Sequence, residues 1–400
     1  MQPTLGLYIH IPFCRSKCAY CDFYSLAGRE ERMDDYQRAL LAHLSESAPL
    51  AGAYTVDTIY FGGGTPSFYG AERLTGLLKC IRKKFHVDKN AEITLEANPD
   101  SVDVKMLKRL RRAGFGRISL GVQSVDDCQL SCIGRPHTFE QARAAVEAAR
   151  KAGFENLSLD LIYGLPGQSL EAWQNTVEQA LALTPEHISA YGLKVEEGTP
   201  LYTRVQNGER IPDDDVQADC YLWAVERLAQ AGYEQYEISN FAKAGRLSRH
   251  NYKYWMTQPY MGFGPGAHSD FGGRRYSFVR DLDGYIDGVL NGGTIVDEDD
   301  EIPLRERSGE YLMLRLRTAH GIEGREYRRD HHMSFAPIEK KLLEYEALGL
   351  ACRSGDRWRL TPTGFLVSNS IIGSLLELQE QATLADTLAH IRENAAHRGS

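Results

Sequence analysis

The sequence predicts an α/β protein: an open, partial (β/α)6 barrel followed by a mainly helical, winged-helix-like C-terminal domain. Three observations carry this. Between residues 5 and 192, six short β-rich runs alternate with longer helical patterns. Several of those helical patterns stop on glycine, as at Ala113–Gly114 and Ala152–Gly153, the usual C-terminal signal. Beyond residue 300 the alternation gives way to helices and one hairpin signal. Strict β/α alternation calls for parallel strands with right-handed crossovers. Six units fall short of the eight that close a regular barrel. In such sheets the chemistry gathers at the C-terminal strand ends.

The expected strands are Leu5–Ile11, Val56–Phe61, Ile93–Ala97, Arg117–Gly121, Asn156–Leu161 and His187–Gly192. The expected helices between and after them are Asp34–Ser47, Glu72–Phe85, Ser101–Ala113, Thr138–Ala152, Ser169–Ala182 and Asp213–Ala231. A strand at Tyr233–Ile238 precedes a glycine- and aromatic-rich region, Arg249–Tyr276. Within it, Gly262-Phe-Gly264-Pro-Gly266 reads as a turn, because a dinucleotide fingerprint needs a following helix and a third glycine at another spacing. The acidic run Asp297–Glu301 reads as a solvated linker. Helical patterns at Leu304–Arg317 and Ile338–Leu348, a hairpin over Leu350–Leu360 turning at Ser354–Gly355–Asp356, and a helix near Phe365–Leu376 make the winged-helix-like unit. Its mixed charge favours a structural role over DNA binding. The expected division is a core at 1–235, a connecting region at 236–300, the C-terminal domain at 301–385 and a tail at 386–400 whose last residues, Asn394–Ser400, fray.

Composition narrows the function classes. At about 150 residues per domain the 400 residues hold two or three domains. With 42% hydrophobic and 25% charged residues the chain matches neither a disordered polymer nor a disulfide miniprotein. Lys plus Arg number 46 against 54 Asp plus Glu, a net charge of −8, which makes the chain a poor candidate for tight non-specific nucleic-acid binding. No signal peptide opens the sequence, and no window approaches the ~20 apolar residues of a membrane span. A cytoplasmic location is expected, so the eight cysteines should be thiols or metal ligands.

Directly after the first strand comes Cys14-Arg-Ser-Lys-Cys18-Ala-Tyr-Cys21. Three thiols on a strand-end loop can turn towards one point, and thiolates are the soft ligands that iron–sulfur clusters and zinc prefer. Structural zinc would need a fourth ligand from His10 or Asp22, and strand polarity places His10 back within the sheet. A cubane with three protein ligands leaves one iron open. Further polar groups and glycines stand at the ends of the later strands: Gly62-Gly63-Gly64-Thr65-Pro66, Glu96, Gln123 with Arg135 twelve residues on, and Asp160 closing the fifth. The other cysteines, Cys80, Cys128, Cys132, Cys220 and Cys352, read as structural, and His331–His332 as a solvated loop.

The C-x3-C-x2-C motif, with Tyr20 before its last cysteine and at the end of the first strand, resembles radical S-adenosylmethionine (SAM) proteins. The resemblance implies a [4Fe–4S] cluster on Cys14, Cys18 and Cys21, whose open iron takes the amino and carboxylate groups of SAM. Tyr8-Ile-His-Ile-Pro-Phe-Cys14, Gly-Gly-Gly-Thr-Pro66 and Asp160-Leu-Ile-Tyr-Gly-Leu-Pro-Gly167 resemble the oxygen-independent coproporphyrinogen III oxidase family over nearly the whole chain. That implies SAM contacts from Tyr8, Gly63, Gly64, Thr65, Glu96, Gln123, Arg135 and Asp160, with Tyr20 close by.

Two features depart from the oxidase (dehydrogenase) itself. Phe23 stands where it has a further cysteine, and only thirteen residues precede Cys14, too few for its N-terminal extension. His250-Asn-Tyr-Lys-Tyr-Trp255 resembles instead the H-N-x-x-Y-W motif of the HemW-type haem-chaperone branch. The resemblance implies haem as a ligand, with His250 at the iron, and haem-accepting proteins as partners, respiratory enzymes among the candidates. Oxidative decarboxylation of coproporphyrinogen III is the alternative activity. Ligation by a neutral imidazole leads to the expectation that haem binding weakens below pH ~6.5.

Overall fold

The structure is a computed structural model that describes residues 2–381; the expected tail at 386–400 lies outside the described residues. Six parallel strands stand side by side in chain order: β1 (Thr4–Ile11), β2 (Thr55–Gly63), β3 (Val87–Ala97), β4 (Arg117–Gln123), β5 (Asn156–Tyr163) and β6 (His187–Gly192). Each is followed by a helix: α1 (Met33–Ser47), α2 (Ala71–Lys84), α3 (Val104–Ala113), α4 (Phe139–Lys151), α5 (Leu170–Ala182) and α6 (Asp214–Gln230). The starts of α4, α5 and α6 fall one residue inside the expected bounds because Thr138, Ser169 and Asp213 are N-caps. Their side chains accept from the Gln141, Ala172 and Val216 N–H groups. The α3 pattern begins three residues late, where Asp103 caps Met106.

Period-2 alternation gives each strand two unlike faces. Leu5, Leu7, Ile9 and Ile11 of β1, Ile93 and Leu95 of β3, Ile118, Leu120 and Val122 of β4, and Leu157, Leu159 and Leu161 of β5 join the helices in one apolar core. The intervening residues line the other face and are polar: Tyr8 and His10, Thr58 and Tyr60, Thr94 and Glu96, Arg117 and Ser119, Ser158 and Asp160, His187 and Ser189. Strands buried on both faces in a closed α/β core usually read as continuous apolar runs. A polar lumen therefore marks this interior as a place for ligands or buried networks.

The sheet continues beyond the six expected strands. Tyr260–Phe263 lies parallel to β1, and His268–Phe271, Arg274–Phe278 and Val296–Glu301 follow antiparallel. Asn240–Ala242 pairs antiparallel with β6. Two expectations change here. The acidic run is not a linker but part of the edge strand Val296–Glu301, fully exposed, with Asp299 paired to Arg274. An edge strand made of carboxylates repels a second edge, which is one way to leave it unpaired. Gly262 lies in a strand rather than a turn, and a Cβ there would come 2.2 Å from the His268 carbonyl oxygen; the turn proper uses Gly264 and Gly266, both at positive φ.

Two compact units are present. One comprises the chain up to Gln235 with Ser239–Lys253 and Gln258–Glu301; the other comprises Tyr236–Ile238, Tyr254–Thr257 and the chain from Ile302 onward. The second unit runs helix Leu304–Arg315, strand Ile322–Glu323, helices Gly324–His331 and Ala336–Ala347, then hairpin Ala351–Ser354 and Arg357–Leu360. The three strands form one small sheet. This is the helix–strand–helix–helix–hairpin order of a winged helix. Residues 368–381 are helical, as the Phe365–Leu376 pattern leads one to expect. His331 is not in a solvated loop: it ends a helix and packs against the Tyr311 and Tyr327 rings at 5.2 and 5.4 Å.

Candidate functional site

The cysteine loop leaves β1 and is clamped by the loop after β2. Gly64 N–H donates to the Ile11 carbonyl and Thr65 N–H to the Phe13 carbonyl, both at 2.8 Å. A Cβ on Gly64 would come within 2.9 Å of the Ile11 and Phe13 oxygens, so this approach requires glycine. Further on, Ala19 N–H donates to the Ile133 carbonyl at 3.0 Å, and Leu201 N–H donates to the Ala19 carbonyl at 2.9 Å. The three sulfurs each meet a polar neighbour. Cys14 Sγ lies 3.3 Å from Thr65 Oγ1, Cys21 Sγ 3.9 Å from Ser25 Oγ, and Arg135 Nη1 reaches Cys18 Sγ at 3.6 Å. Burial pushes the Cys14 and Cys21 thiols up; charge on the neighbouring cysteines pushes them further, while the Thr65 and Ser25 hydroxyls oppose the rise. A cationic centre would relieve both effects, and so the donor set fits an iron–sulfur cluster. Among the described residues no three Cys, His, Asp or Glu side chains close around the point that a single ion needs. His10 stays in β1, where its Nε2 donates to the Tyr24 carbonyl at 2.8 Å and its Nδ1 accepts from Tyr8 at 3.0 Å.

Next to the cysteines, hydrogen bonds join several of the expected SAM contacts: Gly63 with Glu96, and Thr65 with Arg135 through Asn98. Glu96 Oε2 accepts from Gly63 N–H at 3.1 Å, and Oε1 accepts from Tyr60 Oη at 2.6 Å. Burial raises the Glu96 pKa to about 7. Gly63 holds φ +112°, and a Cβ there would lie 2.5 Å from the His10 ring. Arg135 donates to the Gly121 carbonyl at 2.6 Å and to Asn98 Oδ1 at 2.8 Å, while Asn98 Nδ2 reaches Thr65 Oγ1 at 3.2 Å. One hydrogen-bonded chain thus joins Cys14, Thr65, Asn98, Arg135 and Cys18. Gln123, which ends β4, is a non-glycine residue at φ +66°, the kind of local strain that collects at ligand sites. Asp160 accepts from Ser119 at 3.0 Å, Ser189 at 2.7 Å and Ser158 at 3.4 Å. Burial raises its pKa against these hydrogen bonds. Burial also raises the Tyr20 hydroxyl, whose surroundings include Arg135, Cys18, Cys21 and Asp160.

His250 stands apart from this rim. It has no exposed surface, and its Nδ1 lies 2.9 Å from Thr58 Oγ1, near the N-terminal ends of the strands. Burial first, then the charges of Lys253 and Arg117, lower its pKa to about 3. In this position the imidazole stays neutral well below pH 6.5, so the expected weakening of haem binding below that value does not follow from its protonation.

Asn98, Ser119, Ser189, Tyr60 and Thr58 were missed as candidates. For the four on strands a usable signal existed in the polar residues two apart among apolar neighbours; Asn98, in the loop after β3, carries none. Cys132, read as structural, receives a hydrogen bond from Arg204 Nη2 at 3.0 Å and lies 3.7 Å from Glu209 Oε1.

A parallel half-barrel with a three-cysteine loop after β1 and a glycine loop after β2 defines the radical SAM class. The family model of the radical SAM superfamily matches residues 8–180, and that of the HemN C-terminal domain matches 302–367. The structure resembles coproporphyrinogen III oxidase (HemN) from Escherichia coli with a TM-score of 0.81 at 23% identity, over 94% of this chain and 90% of that one, a likeness of fold. The heme chaperone HemW of Bacillus subtilis is 37% identical over 92% of this chain and 98% of its own. That of Escherichia coli is 36% identical over 92% and 97%. A bovine relative, radical S-adenosyl methionine domain-containing protein 1, mitochondrial, is 32% identical over 94% and 88%. The chain belongs to the HemW family of radical SAM proteins. None of the described helices is long and apolar enough to cross a membrane.

Proposed function

We propose that this protein is a haem chaperone that binds haem and passes it to haem-dependent proteins, and that it carries a [4Fe–4S] cluster and SAM. The observation that carries the reading is the near full-length similarity to curated HemW proteins. Cys14, Cys18 and Cys21 would hold the cluster. Tyr8, Gly63, Gly64, Thr65, Glu96, Gln123, Arg135 and Asp160 would hold SAM, with Tyr20 beside it. When both are bound, a reduced cluster would supply an electron and SAM the sulfonium that accepts it. The chain's own contribution is to fix the loops, keep Glu96 and Asp160 as acceptors and bury Cys14 and Cys18 from water. Haem is proposed to use the His250 motif. Ligation through that imidazole would require it to leave Thr58, because it is sealed in this structure.

The competing activity is oxidative decarboxylation of coproporphyrinogen III, the activity of the oxidase that shares the fold. Phe23, exposed just past Cys21, stands where that reading expects a fourth cysteine. The test is anaerobic reconstitution followed by two assays on one sample. Haem titration should give saturable binding with a shifted Soret band. Incubation with coproporphyrinogen III, SAM and a reductant should give no protoporphyrinogen. Turnover by a cluster-loaded sample without haem binding would replace the chaperone with the oxidase.

A further inference from the structure

The contacts of His250 run inward, towards the rim at the far end of the barrel. Its ring stacks on Tyr60 with centroids 5.2 Å apart and on Tyr8 at 6.5 Å, and the two tyrosines lie 6.3 Å from each other. The three rings are within 27° of parallel. Nδ1 meets Thr58, and the backbone N–H donates to Glu92 Oε1 at 3.1 Å. The space for the ring is made by residue 6. A Cβ there would lie 3.2 Å from His250 Cε1 and 3.1 Å from Lys253 Cδ, which accounts for a glycine in the middle of a central strand. Lys253 anchors the same segment, with Nζ 2.9 Å from Asp57 Oδ1 and 3.1 Å from Thr4 Oγ1.

Two routes climb from this ring. Tyr60 rests on the imidazole and donates to Glu96, whose second oxygen holds Gly63 N–H. Tyr8 rests on it too and bonds His10, which donates to the Tyr24 carbonyl just past Cys21. A ligand group at Glu96 and the glycine loop is therefore connected to His250 through one side chain.

We propose that His250 is a positioning residue for the SAM rim, holding Tyr60 and Tyr8 so that Glu96 and the glycine loop present their hydrogen-bonding groups in register. The inference rests on the SAM reading of that rim. Deleting the ring leaves a void into which Tyr60 can tilt, because cores close around a cavity only in part. A hydroxyl–carboxylate hydrogen bond at 2.6 Å weakens with small displacements. Weakening such a bond, short of removing it, corresponds to about a five- to tenfold loss of SAM affinity. A residue that serves only as a haem ligand would leave SAM binding unmoved.

The experiment compares reconstituted wild type, His250→Ala, His250→Phe and Gly6→Ala by iron content, SAM calorimetry and thermal melting. Iron content should be unchanged throughout. His250→Ala should bind SAM about five- to tenfold more weakly. His250→Phe keeps a ring in the stack and should recover affinity to within about twofold of wild type. Gly6→Ala leaves the imidazole present but pushes it by a few tenths of an ångström, and should fall between. Should His250→Ala not fold, the other two variants decide the matter by the same order. Unchanged SAM affinity in a folded, iron-loaded His250→Ala overturns the inference, and an equal loss in the Ala and Phe variants overturns the stacking route. A wild-type protein that takes up iron but no SAM overturns the reading of the rim, and this inference with it.

Discussion

Glu96 should give SAM binding a pH dependence that one substitution removes. Its carboxyl group is buried in the lumen and faced by Tyr60, Asp160, Arg117 and the Gly63 N–H, with Tyr8 nearby. Burial is the largest influence and raises the pKa; Asp160 adds to the rise, while the Tyr60 and Gly63 hydrogen bonds and the Arg117 charge oppose it, leaving a value of about 7. An acid raised on folding contributes stability that is complete below its unfolded value near 4.5 and is lost as pH rises through about 7. Ligand binding has the opposite sign, because the amino end of SAM donates N–H and so calls for the carboxylate. With a pKa of about 7, the group is roughly nine-tenths protonated at pH 6 and nine-tenths ionised at pH 8. The ratio of wild-type to Glu96→Gln affinity should therefore fall roughly tenfold from pH 8 to pH 6. The ratio is the quantity to measure, because the amine of the ligand titrates equally in both proteins. Calorimetry in buffers of different ionisation enthalpy reads it together with the proton released on binding. Parallel pH profiles for wild type and Glu96→Gln would refute the reasoning and remove Glu96 from the site.

Three more expectations concern the cluster, the second acid and haem. Cys14→Ala, Cys18→Ala and Cys21→Ala should each lose most of the iron and sulfide bound on anaerobic reconstitution, whereas Cys80→Ala, on α2, should keep it; full iron in all three would sink the cluster assignment. Asp160→Asn should keep its iron and bind SAM more weakly by ~1.5–3 kcal/mol, the range for a hydrogen bond to a charged group, and equal affinity by calorimetry would show that its serine cage is purely structural. His250→Ala should lose or move the Soret band in a haem titration while His332→Ala binds normally; an unaltered spectrum in His250→Ala would assign the iron to another residue.

The α/β alternation and the strand-end residues were legible because each depends on near neighbours in sequence. Period 2 marked the strands, Thr138, Ser169 and Asp213 marked helix starts, and glycines marked stops. Cys14, Gly63 and Glu96 read as neighbours of one rim because parallel strands put their C-terminal ends together, whereas Asp160 lies three residues inside β5. What stayed illegible depends on distant pairing. Val296–Glu301 looks like a solvated run because nothing in six consecutive exposed residues signals the Arg274–Phe278 partner. Asn98 is an ordinary loop residue until Thr65 and Arg135, 33 and 37 positions away, are found on either side of it. His250 is the most instructive case. Its neighbours in sequence are aromatic, which suggests a face for a macrocycle, but its stacking partners Tyr8 and Tyr60 lie on β1 and β2. The sequence clue was the glycine at position 6, whose missing side chain makes room for the imidazole. That clue can be read only once the two are known to meet. A motif identifies which residues act together, and the pairing of the strands decides on which side of the wall they do so.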